Sequence, residues 1–253
     1  MAYTGGKQKC YKHIINALNN PKFDNMIYIE PFVGYCHILR RVERKKKYYA
    51  SDSNCYLITL LKHLQNDRPL KHPAISKTEY YKLKNNIDHP SPTNDNLKIA
   101  YAGFCYSYSG KWFAGYTAKY TERKNDKVVK RNYARERKRY YDMLSKNETF
   151  LQAKLSCCSY TKYSRVKNCI IYCDPPYNST TGYKDAFDSC KFYDWVRNMS
   201  KNNYVFISEY TMPNDFTCIA SDKKFSSMAG KGANSERIEK LFVHNTLVDK
   251  LKL

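Results

Sequence analysis

No run of about twenty apolar residues appears anywhere in the 253-residue sequence, and no signal-peptide stretch is found, so neither a membrane span nor secretion is expected. Paired CxxC spacing is also missing. The ten cysteines lie at 10, 36, 55, 105, 157, 158, 169, 173, 190 and 218, which excludes the usual tetrahedral zinc arrangement, and they read as reduced thiols in an intracellular, cytoplasmic setting. Cys169 and Cys173 flank the apolar pair Ile170-Ile171, where packing is a better account of them than metal ligation. No metal is expected, and no internal repeat is found. Acidic residues are scarce, 23 against 44 lysines and arginines, for a formal charge of +21. A mild lysine excess only keeps a protein soluble. An imbalance this large makes self-repulsion substantial unless a polyanion is the normal partner, and nucleic acid is the first candidate.

The length suits one sizeable α/β core with a small insertion rather than two large independent domains. Met26-Ile27-Tyr28-Ile29 reads as a strand ending at Glu30, and Tyr48-Tyr49-Ala50-Ser51 as a second ending at Asp52. Cys36 to Arg44 between them, and Cys55 to Leu64 after them, read as helices, which makes a βαβα unit. Cys169 to Cys173, Tyr204 to Ile207 and Leu241 to Val243 are three further strand candidates. The predicted fold is a Rossmann-like, mostly parallel sheet built from residues 1–61 and 151–253, with 62–150 as a charged, tyrosine-rich, helical insertion carrying a separate job. Ser221 to Glu236 reads as a mobile basic loop.

Asp174-Pro175-Pro176-Tyr177 follows directly on a predicted strand, so its aspartate belongs at the carboxyl end of a parallel sheet, where open α/β folds place ligands. The types suit chemistry on an aromatic amine. Such a nitrogen delocalises its lone pair into the ring, and a carboxylate plus a backbone carbonyl accepting its two N–H bonds makes it more nucleophilic. The prolines aim those acceptors, and Tyr177 offers a ring face for stacking. An ordinary strand-ending turn would use the same dipeptides. Glu30-Pro31-Phe32-Val33-Gly34 also follows a strand, with a glycine that lets backbone approach a cofactor, and Asp52 at the next strand end is placed to bond ribose hydroxyls or to cap a helix.

Taken together, these segments resemble the Dam-like DNA adenine-N6 methyltransferases, in particular phage and viral members, over most of the chain and in the family's order. Tyr3-Thr4-Gly5-Gly6-Lys7 is similar to the family's aromatic-x-Gly-Gly-Lys segment, Glu30 to Gly34 to its cofactor loop, Asp52-Ser53-Asn54 to its ribose-binding Asp-x-Asn, and Asp174 to Tyr177 to its catalytic tetrapeptide. Cys36 stands where the family's loop usually carries a second glycine. Tyr101 to Tyr116, with Ser109, Lys111, Trp112 and Tyr116, resembles the segment placed beside the flipped base. Phe206 to Tyr210 and Arg237 to Phe242 are similar to late family segments.

The resemblance implies S-adenosylmethionine as cofactor, held by Tyr3, Gly6, Lys7, Glu30, Phe32, Gly34, Asp52 and Asp174. It also implies catalysis by Asp174, Pro175, Pro176 and Tyr177 on an adenine flipped from double-stranded DNA, and allows a cognate restriction system. Lys119 to Arg139 holds ten lysines or arginines against three acidic residues, so Lys119, Lys130, Arg131 and Arg135 are expected to contact phosphates; a solvated helix face is the competing account. An RNA adenine or cytosine-N4 methyltransferase, and an inactive nucleic-acid-binding protein on the same fold, stay open.

Overall fold

The computed structural model describes residues 11–66, 74–87, 95–117, 119–124, 127–176, 187–225 and 236–251. In chain order the elements are α1 (Lys12–Leu18), β1 (Ile27–Glu30), β2 (Lys47–Asp52), α2 (Cys55–Asn66), α3 (Lys77–Asn85), α4 (Asn96–Cys105), β3 (Lys119–Lys124), β4 (Lys127–Asn132) and α5 (Tyr133–Leu144). They continue with α6 (Glu148–Gln152), β5 (Lys154–Cys157), β6 (Cys169–Cys173), α7 (Ser189–Ser200), β7 (Tyr204–Glu209), β8 (Phe216–Phe225), β9 (Glu236–His244) and α8 (Val248–Leu251). The chain divides into two compact units, one containing Asn54–Leu151 and the other Lys9–Ser53 with Gln152–Leu253.

The second of these contains a seven-stranded sheet in the order β5-β2-β1-β6-β7-β9-β8. The first five strands are parallel, and β9 then pairs antiparallel with both β7 and β8. This is the α/β, Rossmann-like, mostly parallel sheet anticipated from the sequence. Its central strand β6, Cys-Ile-Ile-Tyr-Cys, is buried at all five positions, as a strand covered on both faces must be. α7 is capped by Asp188, whose carboxylate accepts from the Lys191 N–H at 3.0 Å. It buries Phe192, Trp195, Val196 and Met199 at i, i+3, i+4 and i+7 against Ile171, Cys173, Val205 and Ile207.

Three expectations are corrected. Cys36 to Arg44 is not a helix. Only Leu39–Arg41 forms a 3-10 turn, because Cys36 and Arg44 adopt φ of 57° and 56°, which end a right-handed helix at both limits. Ser221 to Phe225, read as loop, continues β8 opposite Lys240 to Glu236 of β9, while 226–235 lies outside the described residues. The reduced-thiol reading fails at Cys55 and at Cys157, each of which is held in a disulfide. The thiols at Cys36, Cys105, Cys158, Cys169, Cys173, Cys190 and Cys218 are free.

Within Asn54–Leu151, α2 packs on α4 with Leu57, Ile58, Leu60, Leu61 and Leu64 buried. The region is not wholly helical. Residues 119–124 and 127–132, inside the basic stretch, pair antiparallel as β3 and β4, and the basic run continues into α5 only afterwards. Among the described residues no helix is long and apolar enough to cross a membrane, and no group of His, Cys, Asp and Glu is arranged to hold a metal.

Candidate active site

Strand order fixes where this sheet can bind a ligand. The chain moves from β1 outward to β2 and β5, then returns to the other side of β1 as β6 and β7, so the switch point lies between β1 and β6. Crevices outside the carboxyl ends of strands at such points are the ligand sites of open α/β sheets. Two predicted motifs meet there: Ile29 pairs with Ile171, which puts the turn from Glu30 to Gly34 and the turn at Asp174 on neighbouring strand ends.

The Glu30–Cys36 turn is pinned to β2. Val33 N–H donates to the Ser51 carbonyl at 2.9 Å, Gly34 N–H donates to Asp52 Oδ2 at 3.1 Å, and Cys36 N–H donates back to the Val33 carbonyl at 2.8 Å. Gly34 has φ of 48°, and nothing lies within 4 Å of where its Cβ would stand, so the backbone faces open space. Cys36, fully buried, repeats the left-handed conformation with φ of 57° at the place of the family's second glycine. The backbone shape is therefore kept by a cysteine at a cost of about 1 kcal/mol.

Glu30 is 2% exposed and its Oε2 accepts from the Tyr28 hydroxyl at 2.7 Å. Burial pushes its carboxyl well above the usual range and the charge of Asp174 adds to this, while donors from Tyr28 and the Leu39 backbone oppose it. Burial, then the charges of Glu30 and Asp52, likewise hold the Cys36 thiol protonated. Asp174 and Pro176 are half-buried and Pro175 is buried. The Tyr172 hydroxyl, hydrogen-bonded with Ser208 Oγ at 2.8 Å, ties β6 to β7 immediately below Asp174. Phe32 is half-buried among Tyr160, Phe187 and Phe192, with ring centroids at 5.6, 5.9 and 5.7 Å. Tyr160 and Phe187 were not singled out in the sequence, because isolated aromatics carry no spacing signal. Tyr3, Gly6, Lys7 and Tyr177 lie outside the described residues.

The Tyr106–Thr117 loop of the other unit is closed by Tyr108 N–H to the Gly115 carbonyl at 2.9 Å and Thr117 N–H to the Tyr106 carbonyl at 2.7 Å. Buried Tyr80 bonds both its feet, with Ser107 Oγ at 2.6 Å and Gly115 N–H at 3.2 Å. Trp112 stacks on Tyr56 at 5.1 Å, and the Tyr116 hydroxyl donates to the Ile75 carbonyl at 2.9 Å, so both are held by packing. Lys111 is exposed, and so is Tyr108, at 49%, which the sequence did not single out. Ser109 lies in the 3-10 turn Tyr108–Gly110, Lys119 on β3, and Lys130 and Arg131 on β4. Arg135 is exposed on α5.

A left-handed glycine turn and an Asp-Pro-Pro turn thus stand on adjacent strand ends at the switch point, where open α/β sheets bind their ligands. The profile of the D12 class N6 adenine-specific DNA methyltransferases matches residues 3–202, and the chain belongs to that family. It is 25% identical over 218 residues to the Type II methyltransferase M.FokI of Planomicrobium okeanokoites, an alignment covering 77% of this chain and 31% of that protein. The chain thus spans about a third of that relative's length. Two solved structures of the rRNA methyltransferase AviRa from Streptomyces viridochromogenes align at TM-scores of 0.38 and 0.37. Their identities are 11% and 10%, covering 94% and 95% of this chain and 84% of each of theirs.

Proposed function

We propose that this chain transfers a methyl group from S-adenosylmethionine to the exocyclic N6 nitrogen of a flipped adenine in double-stranded DNA. The observation that carries the reading is Asp174-Pro175-Pro176 at the carboxyl end of β6, across the switch point from the Gly34 turn, in a chain whose family profile spans both. The residues fit the cofactor: open space over Gly34, a half-buried Phe32, and carboxylates at Asp52 and Glu30. Tyr3, Gly6 and Lys7 are assigned to it from the sequence. When bound, S-adenosylmethionine supplies an electrophilic methyl group.

The chain's own residues prepare the nucleophile. The Asp174 carboxylate and the Pro175 carbonyl accept the two N–H bonds of the amine, drawing the nitrogen toward tetrahedral geometry, and Tyr177 offers a ring face to the extruded base. Reaction of the protein with labelled S-adenosylmethionine and mixed-sequence DNA, followed by nucleoside analysis, should yield N6-methyladenine. N4-methylcytosine, or label confined to RNA, would replace this reading with one of its alternatives. Since the M.FokI relative is a Type II methyltransferase, we extend the proposal to a companion restriction endonuclease and an intracellular setting.

The Gly34 turn makes a paired forecast. Gly34→Ala should cost about 1 kcal/mol of stability from its left-handed φ alone, yet weaken cofactor binding further by filling the open space. Cys36→Gly should leave cofactor affinity within about twofold, because the turn already has the required shape. Thermal melts and cofactor titration read both effects, and tenfold tighter binding by Cys36→Gly would mark the cysteine as a defect rather than a substitute.

Phosphate contacts are assigned to the hairpin and α5. Neutralising Lys130, Arg131 and Arg135 together should weaken binding to all sequences alike and flatten the salt dependence by roughly one unit per lost contact. A binding titration in which the triple variant keeps the parent slope would move the contacts elsewhere.

A further inference from the structure

We propose that Arg137 is a positioning residue for sequence recognition: its buried guanidinium is the surface on which the Ser107–Gly115 loop is set, and through that loop it governs which bases are accepted. The proposal rests on the reading of this chain as a DNA methyltransferase whose Tyr106–Tyr116 segment meets DNA.

α5 carries four cations, Arg135, Arg137, Lys138 and Arg139, and they are not equivalent. Arg135, Lys138 and Arg139 are exposed. Arg137 is 2% exposed and shares the inward stripe 137, 140, 141, 144 with Tyr140, Tyr141 and Leu144, at i, i+3, i+4 and i+7. A guanidinium there is not available to a phosphate outside, and desolvating it is costly when an apolar side chain would fill the stripe. What it does touch is the recognition loop. Gly110 sits at φ of 69°, and a Cβ built on it would collide with the Arg137 guanidinium, so the backbone of the loop lies directly on that group. The guanidinium also lies close enough to Cys105, at the end of α4, for its charge to oppose the burial that holds this thiol up to about 12. A cation beside the carboxyl end of a helix is favourably placed.

The loop so supported is otherwise stiff. Gly110 N–H donates to the Ser107 carbonyl at 3.0 Å and Lys111 N–H to the Tyr108 carbonyl at 3.1 Å, so a shift at Gly110 is passed to Ser107 directly and along the tight turn to Tyr108 and Lys111. Tyr108 and Lys111, which close that turn on each other, are exposed. A planar fork under Gly110 therefore sets the height and tilt of the side chains that the loop presents, and neither a flexible ammonium nor a thioether reproduces its shape.

The test compares Arg137→Lys and Arg137→Met with the parent on its preferred site and on sites changed at single bases, all identified by sequencing modified adenines. Both variants should lose at least about tenfold of the discrimination between preferred and altered sites. The salt slope of DNA binding and the affinity for S-adenosylmethionine should stay at parent values. Gly110→Ala, which disturbs the same contact from the loop side, should reproduce the loss and decides the matter if an Arg137 variant does not fold. A salt slope lowered by about one unit with discrimination intact would make Arg137 a phosphate contact. An equal loss of rate on every site would make it merely structural. Either result overturns the proposal. A parent that modifies no DNA would overturn the underlying reading, and this proposal with it, whereas an active parent whose variants keep full discrimination would overturn the role of Arg137 alone.

Discussion

Asp174→Ala is expected to lower methyl transfer by about three orders of magnitude or more, while DNA binding stays within about threefold of the parent. The side chain sits half-buried at the end of β6 and is assigned to an N–H bond that strengthens as charge builds on nitrogen, so its loss is felt in the transition state. The same substitution has a second, opposite effect. Asp174 adds to the rise of the Glu30 carboxyl and of the Tyr172 hydroxyl, which means that its negative charge disfavours theirs. Where the Glu30 carboxyl is ionised, removing Asp174 relieves that repulsion, and there the variant should melt no lower than the parent, consistent with active sites that retain destabilising charge for function. Activity lost together with stability would indicate a structural role, and retained turnover would remove Asp174 from catalysis.

How much of this site can be read in advance depends on what each residue does locally. β1, β2 and β6 are legible because central parallel strands are short apolar runs, and each gives way to an acid, Glu30, Asp52 or Asp174, where the chain leaves the sheet. The turn after β1 is not. Helical spacing over Cys36 to Arg44 is satisfied by chance in so short a segment, and a left-handed cysteine gives no warning when glycine is the usual marker. The β3–β4 hairpin escapes notice because Lys-Tyr-Thr-Glu-Arg-Lys and Lys-Val-Val-Lys-Arg-Asn lack clear alternation and no Asn-Gly or Asp-Gly joins them. Within the basic run, Arg137 looks like Arg135 until burial separates them. Trp112 and Tyr116 illustrate the converse, since aromatic residues in a segment proposed to meet DNA also serve as its internal props.

Glu30→Gln should separate stability from cofactor binding. The carboxyl is raised above its usual range by burial first and by Asp174 second, so the folded state favours its protonated form. For a group raised in this way, the stabilising contribution is fully present below the unfolded value of about 4.3 and is lost as pH climbs through the folded value. The parent should therefore lose stability over that interval relative to Glu30→Gln, which has no proton to lose and still offers an amide oxygen to the Tyr28 hydroxyl. Melting curves should nearly coincide at pH 4 and diverge toward pH 8, with the variant higher. S-adenosylmethionine carries positive charge at its sulfonium and its ammonium, and a buried carboxylate beside the Gly34 turn favours such a ligand. Binding to Glu30→Gln should therefore weaken by at least about tenfold at pH 8, the scale of one lost charge-assisted bond. The deficit should shrink as pH falls through the raised folded value, where the parent's own carboxyl takes up a proton. A variant that melts higher at pH 8 but binds cofactor as tightly as the parent would leave Glu30 as a support for the turn, with no part in holding the ligand's charge.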